Sequence, residues 1–545
     1  MTKARRIASY FICSVLSGVL LWLSWPERGF APLIFFAFVP LLWIEYSFHS
    51  KETKRSQLKL FGYFYLTLLI WNVLTTWWIY NSTDVGSFVA LGLNSLFMAL
   101  VWQLFHVTKK RLGVIPGYFS LIVYWIGFEF LHLNWEISWP WLTLGNVFAA
   151  YPKYIQWYEF TGVLGGTLWV LSANLFFFFV AKNIFNRDLL VLMRKVNSLI
   201  GIIASSVVII APMIFSLWIY NHQADQGEAV DVVVVQPNVD PYNEKFNGTG
   251  DEQLAKLLRL AMTVADTNTD YIVAPETALP DGIWEDNLLH HKQINVVKDI
   301  MKGFPKTSMV VGASTYKSYR DGEKPSATAH QFKDSDDFYD SYNTALQIDS
   351  RDSIQIYHKS RLVPGVEIMP YKSIFGFLEI YAIDLGGTSG SLGIQDDRTV
   401  FTSANGTKIA PAICYESIYG EFMSGYMKNG AELIFVITND GWWGNTPGFR
   451  QHMNYGRLLA IEFRKSIARS ANTGISCFIN QRGDVFQKTG WWEEDAIRQT
   501  LYKNDISTFY ARHGDYLGVI SSWSALLLFL AMPFKTYMRR RKAIK

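Results

Sequence analysis

The sequence has few cysteines, few charged residues and a small net charge, and each shortage excludes a class of protein. Three cysteines in 545 residues cannot build a disulfide framework, so free thiols are expected. No pair of cysteine or histidine residues has the spacing of a zinc site, and we predict no metal and no cofactor. A formal net charge of +4 provides no broad basic surface, so nucleic acid is not an expected partner.

Apolar residues, in contrast, are abundant and unevenly distributed. Half of the chain is hydrophobic and 16% is aromatic. The chain contains eight apolar runs, and the length of each is near the ~20 residues that a helix needs to cross a bilayer. Pro40 interrupts the second run. We predict a transmembrane domain with seven helices at 1–220, a globular domain at 221–515, and an eighth helix with a basic tail at 516–545. The runs lie at 7–25, 33–48, 60–80, 86–107, 114–133, 162–181, 198–220 and 517–534.

The basic residues predict how these helices are oriented. Lysine and arginine occur before the first run, in every second loop after it, and behind the eighth run, whereas the other short loops contain almost none. By the positive-inside rule both termini are cytoplasmic, and the globular domain lies on the opposite side of the membrane.

The globular part alternates short β-branched runs with helical stretches such as 251–266 and 451–470, which is typical of an α/β fold with a central sheet. In such sheets the reactive groups gather beyond the carboxyl ends of strands. Three residues occupy such positions, namely Glu276, Lys359 and Cys414. Each has an ordinary alternative, since a turn carboxylate, a solvated lysine and a buried structural cysteine are all common.

Cys414 is the most unusual of the three because two polar residues come directly after it. Tyr415 and Glu416 are the neighbours of this thiol, while the other two cysteines lie in strongly apolar surroundings. A thiolate needs a base or a positive neighbour to form at neutral pH. Glu276 offers a general base, and Lys359 offers a fixed positive charge for a developing oxyanion.

Taken together, the motifs APETALP around Glu276, HKSRLVP around Lys359 and ICYES around Cys414 resemble the Glu-Lys-Cys triad of the nitrilase (carbon–nitrogen hydrolase) superfamily. With eight predicted spans around the globular domain, the layout is similar to the apolipoprotein N-acyltransferase family, and the resemblance includes the loop 438–445. It implies an α-β-β-α sandwich on the extracytoplasmic side of a bacterial inner membrane, and a monomer.

The resemblance also implies a two-step reaction. Glu276 would take the thiol proton, and Cys414 would attack the sn-1 ester of a phospholipid acyl donor, typically phosphatidylethanolamine. Lys359 would stabilise the oxyanion, and the amine of a diacylglyceryl-cysteine apolipoprotein would then attack the thioester. The family's supporting and lipid-contacting residues correspond to Glu367, Tyr415, Glu416 and Phe246.

Two other functions stay open at this point. A membrane-anchored amidase or nitrilase would use the same three residues but would not need seven spans before its catalytic domain. In a transporter or receptor, the globular domain would only bind. A transport path would need charged residues inside the spans, and we expect none there apart from Glu129. The segment 370–385 is apolar enough for a lipid-facing arm, although an amphipathic helix packed on the domain is an equal alternative.

Overall fold

The computed structural model describes residues 2–27, 29–48, 53–185, 196–245, 248–320, 322–371 and 392–544. The chain forms two compact units. The first comprises 1–77, 87–222 and 515–545, and the second comprises 78–86 and 223–514.

The α-helices in chain order are α1 (Lys3–Ser24), α2 (Val39–Phe48), α3 (Lys54–Thr76), α4 (Asp84–Leu112), α5 (Val114–Asn134), α6 (Tyr158–Phe185), α7 (Val196–His222), α8 (Gly250–Ala261), α9 (Lys292–Lys302), α10 (Gly420–Lys428), α11 (Pro447–Phe463), α12 (Phe509–His513) and α13 (Tyr516–Ile544).

The first unit is built from apolar helices. Within the described residues, seven segments are long and apolar enough to cross a membrane, and they correspond to seven of the predicted runs. The remaining run falls in α7, of which 206–222 forms a shorter apolar helix. Apolar spanning helices are therefore confirmed, whereas their number, eight, and their orientation stay predictions.

The second segment is broken just before Pro40, at residues 36–38, and Pro40 itself lies in the first turn of α2. A short 3₁₀ helix, Ala31–Phe35, precedes α2, and the irregular turn between them would leave backbone groups unpaired in an apolar setting. The buried side chain of Asn174 on α6 fills this need. Its Oδ1 accepts from the Phe38 amide at 2.8 Å, and its Nδ2 donates to the Ile34 carbonyl at 2.7 Å.

Our expectation that the spans lack charged residues other than Glu129 is wrong. Glu45 on α2 is fully buried, and its Oε1 lies 2.8 Å from Nδ1 of His106 on α4. Its Oε2 forms an ion pair with Lys109, whose Nζ also donates to the Tyr118 hydroxyl at 3.0 Å. A buried carboxylate is tolerated when it is paired, and these partners are invisible in sequence because they lie about sixty residues away.

The second unit contains two sheets. The strands are β1 (Glu228–Gln236), β2 (Tyr271–Val273), β3 (Leu279–Trp284), β4 (Ser308–Ser318), β5 (His330–Gln331), β6 (Phe338–Ile348), β7 (Gln355–His358), β8 (Phe401–Thr402), β9 (Lys408–Ile413), β10 (Leu433–Thr438), β11 (Ile467–Ala471), β12 (Cys477–Ile479), β13 (Val485–Phe486) and β14 (Asp495–Lys503). One sheet has the order β14-β1-β2-β4-β6-β5, with β3 beside β4 and β7 beside β6. The other has the order β13-β12-β11-β10-β9-β8. The central strands β1, β2 and β4 are parallel, as are β9, β10 and β11.

The two sheets face each other and helices cover their outer faces. Val232 to Val235 are completely buried, as expected for a β-branched strand with both faces covered. Between the sheets, the Tyr271 ring packs on Phe435 with centroids 5.0 Å apart. Helices α8 and α9 close the hydrophobic core on the outside of the first sheet. The predicted α-β-β-α sandwich is therefore confirmed.

One predicted helix ends earlier than its pattern suggested. We expected a helical stretch over 451–470, but α11 ends at Phe463 and β11 begins at Ile467. The change occurs at Arg464, which adopts the left-handed conformation with φ 52° while its side chain is completely buried. Left-handed backbone is a usual helix terminator, but glycine or asparagine is its ordinary sequence signal, and arginine is not.

Candidate active site

The three candidate residues each come after a strand, and the fold places their side chains together. Glu276 comes three residues after β2, and Lys359 and Cys414 come directly after β7 and β9. All three side chains are buried. Lys359 Nζ donates to Glu276 Oε1 at 2.9 Å and to Glu367 Oε1 at 2.8 Å, and the charges of Glu276 and Lys359 both act on the Cys414 thiol.

The carboxylate of Glu276 is held at both oxygens. Oε1 also accepts from Asn343 Nδ2 at 2.7 Å, and Oε2 accepts from the Asn439 backbone amide at 3.0 Å. Burial raises its pKa, but Lys359 and these hydrogen bonds outweigh burial and hold the pKa of Glu276 below its ordinary value. Gly312 makes the geometry possible, because a Cβ there would lie 2.6 Å from the Glu276 Cα. Glu276 is therefore ionised and fixed in place.

The same ion pair keeps Lys359 charged. Burial opposes its positive charge, yet Glu276 and Glu367 hold the pKa of Lys359 well above its ordinary value. Glu367 also accepts from the Val363 amide at 2.8 Å through Oε2, which anchors the turn after Lys359. One ammonium thus joins two carboxylates from separate segments of the chain.

Cys414 has an unusual backbone conformation and a neutral thiol. Its φ is 50°, in the left-handed region that non-glycine residues seldom adopt, at the point where β9 turns into the 3₁₀ helix Cys414–Ile418. Burial, and then the negative charge of Glu276, raise the pKa of Cys414 far above that of a free thiol, although Lys359 opposes the shift. The resting sulfur is therefore protonated beside an ionised carboxylate.

Glu416 supports both the nucleophile and the lysine. One carboxylate oxygen accepts from the Tyr357 hydroxyl at 2.6 Å and from the amides of Ser360 and Arg361 at 2.7 and 3.2 Å. The other oxygen accepts from the Ile413 amide at 2.8 Å. Burial raises the pKa of Glu416 despite these bonds. This side chain joins the segment that bears Cys414 to the segment that bears Lys359.

The remaining candidates are placed differently. Glu367 lies in the cluster around Lys359, and Tyr415 is buried with its ring 5.2 Å from that of Tyr419. Phe246 lies outside the described residues, and so does most of the candidate arm 370–385. The loop 438–445 does lead from a strand to a helix as predicted, through a 3₁₀ turn at Asp440–Trp443 and then α11.

Sequence reasoning missed Asn343, which bridges the two carboxylates. Its Nδ2 donates to Glu276 Oε1 and, at 3.1 Å, to Glu367 Oε1, while its carbonyl accepts from the Lys359 amide at 2.8 Å. It lies inside β6, where an asparagine is depleted by strand propensity. That mismatch is the one signal that could have identified it.

A second missed cluster lies behind the nucleophile. Asp440 accepts from Arg469 Nη2 at 2.5 Å, and its other oxygen lies 3.0 Å from His452 Nδ1. On the far side of the ring, His452 Nε2 lies 3.2 Å from the Cys414 carbonyl oxygen and 3.1 Å from Ser417 Oγ. All these side chains are buried. The cluster braces the strained backbone of Cys414.

We expect Glu416→Gln to destabilise the protein and disturb the site. An amide has one acceptor oxygen where the carboxylate has two, so at least one buried donor loses its partner, at a cost of about 1–3 kcal/mol. The measurement is thermal unfolding of the purified protein in detergent. Glu228→Gln is the control, because that side chain is 81% exposed and its ion pair with Lys503 lies at the surface. Equal melting of the two variants would contradict a bracing role for Glu416.

We further expect Arg469→Met to destabilise the protein more than the double variant Arg469→Met with Asp440→Asn. Removal of the arginine alone leaves a buried carboxylate without its cation, which costs about 3–5 kcal/mol, whereas the double variant buries no net charge. Thermal unfolding and the yield of monodisperse protein in detergent measure the difference. A double variant less stable than the single one would show that the Asp440 charge does not depend on Arg469.

Two family models match the two parts of this chain. Residues 17–176 match the family model of the apolipoprotein N-acyltransferase N-terminal domain, and residues 231–509 match that of the carbon–nitrogen hydrolases. Among the solved structures, one similar chain is an amidase of Nesterenkonia from the nitrilase superfamily. It is 13% identical to this chain, with a TM-score of 0.35, and the match covers 54% of this chain and 97% of the amidase chain.

Curated relatives extend over nearly the whole chain. The apolipoprotein N-acyltransferase of Chlorobaculum tepidum is 30% identical over 532 residues, which is 94% of each chain. Those of Geobacter metallireducens and Haemophilus influenzae are 26% and 25% identical, covering 93% and 98% of this chain and 92% and 96% of their own. Together with the apolar helices, these bacterial relatives indicate a protein of a bacterial inner membrane. The chain belongs to the apolipoprotein N-acyltransferase family, within the carbon–nitrogen hydrolase superfamily.

Proposed function

We propose that this enzyme transfers a fatty acyl chain from a phospholipid to the N-terminal amine of diacylglyceryl-cysteine apolipoproteins, through a thioester on Cys414. The observation that carries the proposal is the buried cluster in which Lys359 joins Glu276 and Glu367 beside the Cys414 thiol. Membership of the family supports the choice of substrates.

In the first step Glu276 takes the thiol proton as Cys414 Sγ attacks the carbonyl carbon of the sn-1 ester, in phosphatidylethanolamine as the typical donor. Because the pKa of Cys414 is raised and that of Glu276 is lowered, a free thiolate is disfavoured. Proton transfer therefore accompanies formation of the C–S bond. Lys359 stabilises the oxyanion, the C–O bond breaks, and the lysophospholipid leaves with the proton from Glu276.

In the second step the apolipoprotein amine attacks the thioester. Glu276 takes a proton from the amine, Lys359 again faces the oxyanion, and the C–S bond breaks. The proton on Glu276 returns to the sulfur, which restores the resting thiol. Glu367, Glu416 and Tyr415 act as supporting residues in this proposal, and Phe246 contacts lipid.

A tethered catalytic unit suits lipid substrates. Transfer of a lipid out of the bilayer costs about 0.8 kcal/mol for every CH₂ group exposed, so the nucleophile has to act at the membrane surface. We therefore propose the division 1–220, 221–515 and 516–545, with the catalytic part on the periplasmic side and both termini in the cytoplasm, in a monomer. The alternation of basic loops supports this orientation.

The thioester provides the direct test. Purified protein incubated in detergent with acyl-labelled phosphatidylethanolamine should carry a label that hydroxylamine removes, and Cys414→Ala should abolish it, because the proposed acceptor of the acyl chain is then missing. Cys477→Ala, at a buried cysteine on β12, should keep the label. A correctly folded wild type without label would overturn the acyl transfer. Loss of the label in Cys477→Ala would show that Cys414 is not the thiol that carries the acyl chain.

The orientation has its own test in intact cells. In a variant without the native Cys13 and Cys477, a membrane-impermeant maleimide added to spheroplasts should label Lys333→Cys, an exposed position on the catalytic unit. It should label Arg111→Cys, exposed at the end of α4, only after lysis, because that end is predicted to be cytoplasmic. The reverse labelling pattern would invert the proposed topology.

A further inference from the structure

A second buried lysine lies beside the proposed base, and neither step of the proposed reaction uses it. Lys245 lies in the loop after β1, and only 7% of its surface is exposed. Its Nζ donates a hydrogen bond to the hydroxyl of Thr277, the residue next to Glu276. Together with Glu276 and Thr277, Lys245 lines a small cavity that Gln253 and Asn472 also border.

Lys245 has no ion-pair partner among the residues that the structure describes. The groups around it are mostly uncharged: Gln253 of α8 donates to its backbone carbonyl at 2.9 Å, and the Trp442 ring lies 5.9 Å from Nζ. Two charges act on the ammonium, namely Glu276, which favours it, and Lys359, which opposes it. A buried ammonium without a carboxylate partner is unfavourable, so its presence needs a reason beyond packing.

The charges of the site supply that reason. Glu276 and Glu367 share the single ammonium of Lys359, so these three groups together carry one excess negative charge. The positive charge of Lys245 cancels that excess. When Glu276 takes the thiol proton, this negative charge passes to the oxyanion beside Lys359, and without Lys245 it would stay unbalanced in a buried site.

Resting on the proposed function, we propose that Lys245 is a positioning residue for the acylation step. Its ammonium balances the charge of Glu276 and steadies the turn at Thr277, and Lys359 is thereby left free to stabilise the oxyanion. Thr277 needs such support, because its φ of 47° lies in the left-handed region, where a threonine is strained. The chemical role is electrostatic, acting through Glu276 rather than on the substrate.

The charge on Lys245 depends on pH. Burial lowers the pKa of Lys245 to about 8, with Glu276 raising it and Lys359 lowering it further. The group is charged below this pH and neutral above it. The rate of acylation should therefore fall as the pH rises through about 8.

The experiment measures formation of the hydroxylamine-sensitive acyl-enzyme from acyl-labelled phosphatidylethanolamine, from neutral to alkaline pH, in the full-length protein. Three variants are compared with the wild type. Lys245→Met removes the charge and keeps the length of the side chain, and Lys245→Arg keeps a charge that does not titrate in this range. Lys256→Met is the matched control, since this nearby lysine is ion-paired with Glu494 at 2.8 Å.

We expect the wild-type rate to decline above pH about 8 and Lys245→Arg to lose that decline. We expect Lys245→Met to form the acyl-enzyme about tenfold more slowly, a factor that corresponds to the free energy of one pKa unit. The rate of this variant should not decline at alkaline pH. Lys256→Met should behave as wild type. Thermal unfolding shows whether each variant is folded.

Three outcomes would overturn the inference while leaving the proposed function intact. They are a wild-type rate in Lys245→Met, a slower rate that keeps the wild-type alkaline decline, and an arginine variant as slow as the methionine one. The last two are what a purely structural role would produce. If the wild type itself forms no thioester, it is the proposed function that fails.

Discussion

The catalytic unit depends on one ammonium that two buried carboxylates share. Lys359 holds Glu276 and Glu367 within 2.9 and 2.8 Å, and Asn343 bridges the same two oxygens. Each charge in this group is tolerable inside the protein only because the others are present. The segments after β2 and β7 and the turn before Glu367 are consequently fixed relative to one another before any substrate arrives.

The nucleophile is held by a different set of contacts. Glu416 links the end of β9 to the backbone behind Lys359, and His452 contacts the Cys414 carbonyl from the opposite side. Asp440 and Arg469 orient that imidazole. Glu416 also connects this network to the one around Lys359. The left-handed turn at Cys414 is therefore compensated by many bonds rather than by one.

Sequence patterns located the features that local order determines and missed those that depend on distant partners. The strand-end positions of Glu276 and Cys414 could be predicted because continuous apolar runs precede them, and Lys359 follows a short strand of mixed residues. Asn343 offered only its unusual place inside a strand, since its role comes from the pairing of β6 with β7 and not from its neighbours in sequence. Glu45 stands in plain view in the second apolar run, but its pairing could not be predicted, because its partners His106 and Lys109 are on another helix.

The neutral state of Cys414 has a consequence for survival of the enzyme outside the cytoplasm. Oxidants and disulfide-exchange catalysts react with thiolates, and on the side of the membrane where we propose the catalytic unit to lie, both are plentiful. A sulfur that gives up its proton only as it bonds to a carbonyl carbon offers those reagents little to attack. Burial and the adjacent Glu276 thus keep the thiol protonated, and protected from these reagents, until it reacts with the ester substrate.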